Sequence, residues 1–348
     1  MRRRLWLLVI VVPLLAVVAD ALAWQLVAGQ LRSGLADWIA AQRATGWVVN
    51  AGPPQTGGWP LAATITVRNF ALTGGAAEIP GGLAWRADAV VLRLDLLHPS
   101  RLVLRAEGQQ QLRLADGPDI PFTAGRLQAL LPLQAGTPYP VTIRADALRA
   151  MVPLPTAPAS PMTIDRVAAQ IGIRPAPVEG EAALTVALTA TGIGLPPAMH
   201  WALGPAMGSL ALDAALNGNP PPVPGLAARA TAWRDEGGSL EIQRLETHWG
   251  PLDLNATATL ALDPQLQPMG AGTAQVTGYA ETLDALAAHG LISRSAATAA
   301  KAVLSLLART PDDGGPSEVD VPLSLQYRTL SMRQVPLVRL PELDWPGP

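Results

Sequence analysis

The sequence contains no cysteine and only one lysine, and each absence excludes a class of function. Without cysteine the chain forms no disulfide, thiolate metal site or thiol nucleophile. This composition agrees with an oxidising compartment. The single lysine is Lys301 and the formal net charge is -2, so the chain lacks the clustered basic surface that nucleic-acid binding requires. We therefore expect no nucleic-acid partner.

Charged side chains are also scarce, because Asp, Glu, Lys and Arg together make up 15% of the residues. The mean hydropathy is nevertheless positive, at +0.25, in a chain with 34 prolines and 32 glycines. This composition indicates more apolar surface than a self-contained soluble enzyme usually needs.

Sequence motifs for catalysis and cofactor binding are missing. The chain has no GxxxxGKS/T phosphate loop, no HExxH and no GxSxG nucleophile elbow. The segment Gly192-Ile193-Gly194 lacks the third glycine and the following helix of a dinucleotide-binding fingerprint, so we interpret it as a turn. Since no two carboxylates can be assigned to acid and base roles, we expect no cofactor and no enzymatic activity.

Metal-ligating residue types are scattered along the chain. Four histidines without metal-ligand spacing are interpreted as strand-end or surface residues: His98, His200, His248 and His289. The acidic segment at 312–315, followed by Glu318 and Asp320, offers oxygen atoms that calcium could use. A solvated turn before a strand explains the same residues more simply. We expect no metal site.

The N-terminus has the pattern of a membrane-spanning helix. An almost unbroken apolar run extends from Leu5 to Trp24, and at 1.5 Å per residue a helix of this length crosses the ~30 Å hydrocarbon core. Flanking arginines are retained on the cytoplasmic side, which predicts a single pass through a bacterial inner membrane with the remaining chain in the periplasm. The anchor is assigned to residues 1–24, with Arg2, Arg3, Arg4, Trp6, Leu14 and Trp24 as its characteristic residues.

A cleaved signal peptide is the alternative. Ala21-Leu22-Ala23 has the small-x-small form of a signal-peptidase site, and cleavage there would release a soluble protein that begins at Trp24. Against cleavage, apolar residues continue at helical spacing beyond this point: Trp24, Val27, Leu31, Leu35, Trp38 and Ile39. We favour a retained anchor that continues as an amphipathic stalk helix over 25–45. Trp24 would then lie at the membrane interface, where an indole ring is favoured.

After Gly46 and a turn-rich hinge at 52–58, residues 59–348 have the pattern of a β domain. Leu61, Ala63, Ile65 and Val67 alternate with polar residues, and the phase switches after Asn69, which indicates a bulge. Further alternations separated by turn signals predict short strands in an antiparallel meander. Proline-rich segments between residues 151 and 225 are interpreted as sheet connections.

The C-terminal part predicts one helical hairpin within the sheet. Alanine-rich helical segments occupy about 281–309, with Ser293 placed to cap the second helix. The last strands form a hairpin that turns near Arg328-Thr329. The predicted fold is therefore mainly β: a transmembrane helix and stalk, then an elongated curved antiparallel sheet, an open groove or partial barrel, with a C-terminal αα-hairpin.

Tryptophans near the predicted strand ends have two interpretations. Trp59, Trp85 and Trp249 are either core residues or lie beside lipid at the mouth of a groove, with Leu92 and Leu94 on the apolar face of the sheet.

Four short segments carry a resemblance to a known family: Gly58-Trp59-Pro60, Trp249-Gly250-Pro251-Leu252, the helical hairpin from Gly278 to Leu307, and Val335-Pro336-Leu337. With the N-terminal anchor, they resemble the alphaproteobacterial membrane-anchored proteins catalogued as domain of unknown function 2125. That family usually has an Asp-Gly turn in the last hairpin, where this chain has Arg328-Thr329. The architecture also looks distantly like AsmA-type periplasmic proteins, and this fold-level analogy implies a groove for acyl chains.

Two functions are therefore expected. The first is an anchored periplasmic protein that binds or passes lipid, or another hydrophobic ligand, along an apolar β-groove and so serves envelope maintenance. The alternative is a non-enzymatic assembly or scaffold protein that uses sheet edges to bind an envelope protein partner.

Overall fold

The computed structural model describes most of the chain. It covers residues 2–75, 81–115, 117–133, 136–155, 157–175, 177–178, 180–219, 221, 223, 225–310, 316–332 and 335–345, with side chains from residue 14 onward except at 335. The predicted acidic turn at 312–315 lies outside these ranges.

One long helix precedes a single large antiparallel sheet. The helices are α1 (Arg2–Ala44), α2 (Leu226–Asp235), α3 (Tyr279–Ala288) and α4 (Arg294–Leu307). The first strands are β1 (Val48–Asn50), β2 (Gln55–Gly57), β3 (Ala62–Gly74), β4 (Leu83–Asp95), β5 (Arg101–Leu114), β6 (Ile120–Thr123), β7 (Arg126–Pro132), β8 (Tyr139–Val152) and β9 (Ser160–Ile173). The remaining strands are β10 (Ala182–Gly194), β11 (Ala206–Asn217), β12 (Ser239–Trp249), β13 (Leu252–Leu262), β14 (Pro268–Thr277), β15 (Glu318–Gln326), β16 (Thr329–Met332) and β17 (Val335–Arg339).

The strands follow one another as a meander, as the sequence predicts. From β3 to β17 each strand pairs with the next, except that β6 and β7 together fill the position between β5 and β8. The short strands β1 and β2 pair with the two ends of β3. Within the described ranges the sheet does not close into a barrel. The predicted mainly β, antiparallel fold is confirmed, and the sheet is open.

Residues with positive φ lie inside several strands, so these strands are longer than their sequence patterns indicate. Asn69 has a φ of 51°, and the apolar side chains of β3 change phase there, as predicted, but the pairing with β4 continues without the register shift of a bulge. Gly108, with a φ of 79°, lies at an irregularity in β5, so a pattern that suggests two short strands belongs to one. Gly192, with a φ of 63°, lies within β10, so its prediction as a turn is wrong. The register between β4 and β5 shifts beside Gly108, and a bulge of this kind bends a strand and increases its twist.

One further local prediction is wrong, and one described helix was missed. The expected hinge at 52–58 contains β2, and the Gly52 N–H donates to the Arg68 carbonyl at 3.0 Å, so this segment belongs to the sheet. Helix α2 was not predicted, because the prolines before it indicate a loop. Its buried Leu226, Ala230 and Trp233 have helical spacing, which is the signal that identifies it.

The C-terminal helical hairpin is present as α3 and α4. Ser293 caps α4, since its hydroxyl accepts a hydrogen bond from the Ala296 N–H at 3.1 Å. Lys301 on α4 lies 2.7 Å from Asp284 on α3. The following hairpin turns at Tyr327 and Arg328, both with positive φ, one residue before the predicted position.

Candidate functional site

The candidate site begins with the packing of α1 on the first strands. Leu31, Leu35 and Ile39, part of the predicted apolar stripe, pack against a buried cluster of the sheet. The cluster consists of Val49, Ile65, Val67, Phe70, Ala87, Val90 and Leu92. An apolar stripe on a helix requires an apolar partner, and β3 and β4 supply it. The stalk is therefore one wall of the folded domain.

The Trp24 side chain attaches the N-terminal end of this wall to the sheet. Its indole N–H donates to the Ala62 carbonyl at 3.0 Å and lies 3.3 Å from the Gly57 carbonyl. These carbonyls stand at the end of β2 and the start of β3. The sheet therefore begins directly beside the residue that ends the predicted membrane-spanning run.

The helix α1 and the sheet border a partly open apolar cavity of about 490 Å³. The helix contributes four principal lining residues: Leu31, Gly34, Leu35 and Trp38. The sheet contributes the larger part of the lining, including Phe70, Trp85, Leu92, Leu94, Leu102, Leu104, Leu131 and Leu133. We call this space the stalk cavity. Apart from the indole N–H groups of Trp38 and Trp85, Gln30 has the one polar side chain among the described lining residues.

The Trp85 ring is held in place at the cavity wall. Its centroid lies 5.5 Å from that of Phe70, with the rings tilted by 58°. Its indole N–H donates to the Gln110 side-chain oxygen at 3.3 Å, and Gln110 is itself buried. Because the polar edge of the indole is satisfied by Gln110, its apolar surface is available to the cavity.

The apolar surface of the cavity continues across the sheet. Directly opposed residues in an antiparallel sheet share a face, so the strand registers define rows of neighbours. One row runs through Leu92, Leu104, Ala129, Ile143, Ala169, Leu188, Leu212, Leu245, Ala256, Ala274 and Val321. We call this side of the sheet the apolar face. Ten steps of about 4.8 Å give a path of about 48 Å.

The opposite side of the sheet is mostly polar. Its neighbouring row runs through Arg105, Gln128, Arg144, Ala168, Thr189, Ala211, Glu246, Asn255, Gln275 and Asp320. Arg244 also lies on this side, 2.7 Å from Asp213 and 3.3 Å from Glu246. The hydrogen bond and the charge of Asp213 raise the pKa of Arg244, which keeps it charged. The sheet is therefore amphipathic.

A second apolar space lies at the far part of the same face. Helix α2 and the C-terminal segment cover a cavity of about 360 Å³, whose lining includes Leu216, Leu240 and Leu260 from the sheet. Trp233 of α2 and Trp345 complete the lining, and their indole N–H groups donate to the Asn217 and Leu266 carbonyls at 2.9 and 2.8 Å. Leu216 and Leu240 are directly opposed, on the apolar face.

Polar chemistry is sparse in the described part of the chain. The His248 Nδ1 lies 2.5 Å from an Asp253 carboxylate oxygen, and both side chains are more than half exposed. Among the residues described, no group of three or more His, Asp or Glu side chains could hold a metal ion. The arrangement offers apolar surface with few polar groups.

The N-terminal helix is the one described element with the length and composition of a membrane span. Its described apolar part, Leu14–Ala44, has a mean hydropathy of 1.6 in its best window, of which 6% is buried. The side chains of Leu14, Leu15 and Leu22 are more than half exposed. From Trp24 onward, by contrast, the helix contributes side chains to the domain.

A family model described as an uncharacterized protein conserved in bacteria, DUF2125, matches residues 24–341. The chain belongs to the DUF2125 family. The match begins at Trp24 and includes the walls of the stalk cavity, the apolar face and the helical hairpin. No curated protein and no solved structure matches the chain.

Within this DUF2125 chain, the structure brings together three of the five predicted groove residues. Trp85, Leu92 and Leu94 line the stalk cavity. Trp59 is 51% exposed in the β2–β3 turn. Trp249 packs against Trp201 at 5.6 Å, and its indole N–H donates to the Gly204 carbonyl at 2.8 Å, so it lies away from that cavity.

Sequence reasoning missed the helical half of the cavity wall. Gly34 and Trp38 face the space opposite Leu104 and Leu133, far away in sequence. The apolar stripe of the stalk was the available signal, since such a stripe must pack against some apolar surface.

Proposed function

We propose that this DUF2125 protein is a non-enzymatic, single-pass protein of a bacterial inner membrane, with its β domain in the periplasm. It binds an acyl chain of a membrane lipid in the stalk cavity and passes it along the apolar face, in the service of envelope maintenance. The observation that carries the proposal is the apolar cavity between the helix and the sheet.

The size and lining of the stalk cavity favour an acyl chain. Its 490 Å³ lies within the roughly 300–1,000 Å³ that is common for small-molecule sites. A polar ligand buried there would lose its hydrogen bonds to water and find few replacements. A flexible hydrocarbon chain loses none, and each methylene it buries contributes about 0.8 kcal/mol.

The position of the cavity favours a lipid from the same membrane. The helix that forms one wall is the continuation of the apolar run from Leu5 to Trp24, and three arginines precede that run. The positive-inside rule therefore favours export of the domain. A lipid entering at the membrane would meet the cavity first and the remainder of the apolar face afterwards.

Lipid binding is tested on the full chain, extracted in a mild detergent or into nanodiscs. Mass spectrometry is expected to find co-purified phospholipid, and fluorescent fatty acid added to delipidated protein is expected to be displaced by unlabelled chains. At 0.8 kcal/mol per methylene, affinity should rise about fourfold with each added carbon until the cavity is full. Absence of lipid together with absence of displacement would refute the proposal.

A protein partner is the second candidate, and the last strand favours it. Strand β17 pairs with β16 on one side, and the described residues include no partner on its other side. Leu337 and Val338 on this strand are about half exposed. An unpaired edge of this kind accepts an added strand from another chain, although Pro336 restricts which residues can donate to it. Crosslinking in intact cells from Leu337 would give one recurrent protein adduct if this function is correct, and none if it is wrong.

A further inference from the structure

Exposed apolar side chains are grouped at the end of the sheet where Trp24 is bound. The strand registers place the start of β3, the end of β4 and the start of β5 together at this end. Leu97 in the β4–β5 loop is 79% exposed, Leu61 before β3 is 67% exposed, and Trp59 is 51% exposed. We call these three residues the lower edge.

The two loops of the lower edge are joined to each other and to α1. The Leu96 N–H donates to the Leu61 carbonyl at 3.1 Å, so the β4–β5 loop is fixed beside the segment that precedes β3. The next residue, Ala62, supplies the carbonyl that accepts the hydrogen bond from Trp24 at 3.0 Å. Trp59 and Leu61 are therefore within three residues of the backbone carbonyl that binds Trp24, the last residue of the spanning run.

We propose that the lower edge lies in the interfacial region of the leaflet from which α1 emerges, so that the sheet stands directly on the membrane. This inference rests on the membrane anchor of the proposed function and extends it by identifying a lipid-contacting surface of the β domain. Trp59 suits this position because an indole combines an apolar ring with a polar N–H. Arg101, exposed at the start of β5, adds a positive charge for anionic headgroups.

The inferred contact explains how a lipid reaches the stalk cavity. Leu94, which lines that cavity, is three residues from Leu97 of the lower edge, and its neighbour across the sheet is Leu102. Leu133, another lining residue near this end, is 49% exposed. An acyl chain leaving the leaflet at the lower edge would therefore meet apolar side chains continuously up to the cavity.

Exposure alone does not select this end. At the opposite end, Leu114 is 52% exposed where β5 ends, and Leu306 of α4 is 86% exposed. The connection of Ala62 to Trp24 makes the distinction, because it fixes the lower edge next to the spanning helix. Leu114 therefore provides a matched control in the same strand as the residues beside the lower edge.

The absence of native cysteine permits a direct test with single labels on the full chain. The variants Leu61→Cys and Leu97→Cys report on the lower edge, Leu114→Cys on the far end, and Val17→Cys on the spanning helix. Each is labelled with an environment-sensitive fluorophore and reconstituted into phosphatidylethanolamine–phosphatidylglycerol vesicles. Lipids that carry a quencher at the headgroup or in the middle of the acyl chain then measure depth.

We expect headgroup quenchers to remove most of the fluorescence at positions 61 and 97, acyl-chain quenchers to act at position 17, and neither to affect position 114. Quenching at position 17 without quenching at positions 61 and 97 would overturn this inference but would still support the membrane anchor. Equal quenching at 97 and 114 would overturn the assigned orientation. No quenching at 17 would overturn the anchor, and the proposed function with it.

Discussion

Filling the stalk cavity with a larger side chain on α1 should raise the free energy of unfolding and lower the amount of bound lipid. Gly34 lines the cavity, and a Cβ added to it would have no heavy atom within 4 Å. Gly34→Leu therefore places an apolar side chain in the cavity without a backbone clash. Replacing a helical glycine by leucine contributes about 1 kcal/mol of helix propensity. Burying the new side chain contributes about 1.5–3 kcal/mol more.

A matched control lies in the same helix. Gly29 is also free of neighbours within 4 Å of an added Cβ, and it does not line the cavity. Gly29 and Gly34 are five residues apart in the helix, and at about 100° per residue they point in directions that differ by about 140°. Gly29→Leu should therefore gain the helix propensity of about 1 kcal/mol and nothing more.

The assay combines thermal unfolding of delipidated protein with mass spectrometry of co-purified lipid. We expect a gain of about 2.5–4 kcal/mol for Gly34→Leu, at about 2 °C per kcal/mol for a domain of this size. The same variant should lose most of its bound lipid, whereas Gly29→Leu should keep it. Wild-type lipid content in Gly34→Leu, or equal loss in both variants, would refute the cavity as the binding site.

The remaining predictions concern the apolar face, the Trp24 contact and the anchor. Leu212→Lys should slow lipid transfer between vesicles, because the new charge lies on the apolar face. The control variant Ala211→Lys places the same charge on the polar side and should transfer lipid at the wild-type rate. Equal slowing in both variants would exclude the apolar face as the route. Trp24→Phe should cost about 0.5–1.5 kcal/mol, since it removes the indole hydrogen bond but keeps an aromatic ring, and faster amide exchange at the start of β3 should report it. Unchanged exchange there would mean that this bond does not hold the helix to the sheet. Replacing Leu14 and Val17 by Arg should cost about 2.5–3.5 kcal/mol of insertion free energy per central charge. Fractionation should then show the protein leaving the high-salt membrane pellet, and a mature wild-type protein starting at Trp24 in the soluble fraction would favour the cleaved alternative.

Local periodicity predicted the sheet because alternation is a property of neighbouring residues. Val90, Leu92 and Leu94 are buried on one side of β4, as their spacing of two indicates. The same reasoning misread Gly192 as a turn, because a glycine with positive φ occurs within a strand as well as in a turn.

Helix α2 shows where local signals conflict. Prolines precede it and no side chain caps its N-terminus, so the start signals of a helix are missing. The helix is stabilised instead by tertiary contacts: Leu226, Ala230 and Trp233 are buried, and the Trp233 indole N–H donates to the Asn217 carbonyl.

The candidate site was predictable in part for a similar reason. Trp85 and Leu92 were assigned to a groove from their positions on one strand, and they do line the cavity. That Gly34 and Trp38 form the opposite wall depends on the packing of α1 on β3, whose cavity-lining residues begin about thirty positions further along the chain. Periodicity identifies an apolar stripe, but it does not identify the surface on which the stripe packs.

The most direct test of lipid binding is photocrosslinking in living cells from inside the stalk cavity. Trp85 is replaced by p-benzoylphenylalanine, which is also a large aromatic residue, and the neighbouring Arg86, exposed on the other side of β4, provides the control. The account predicts a phospholipid adduct at position 85 and none at position 86. A protein adduct at position 85, or no lipid adduct there, would contradict it.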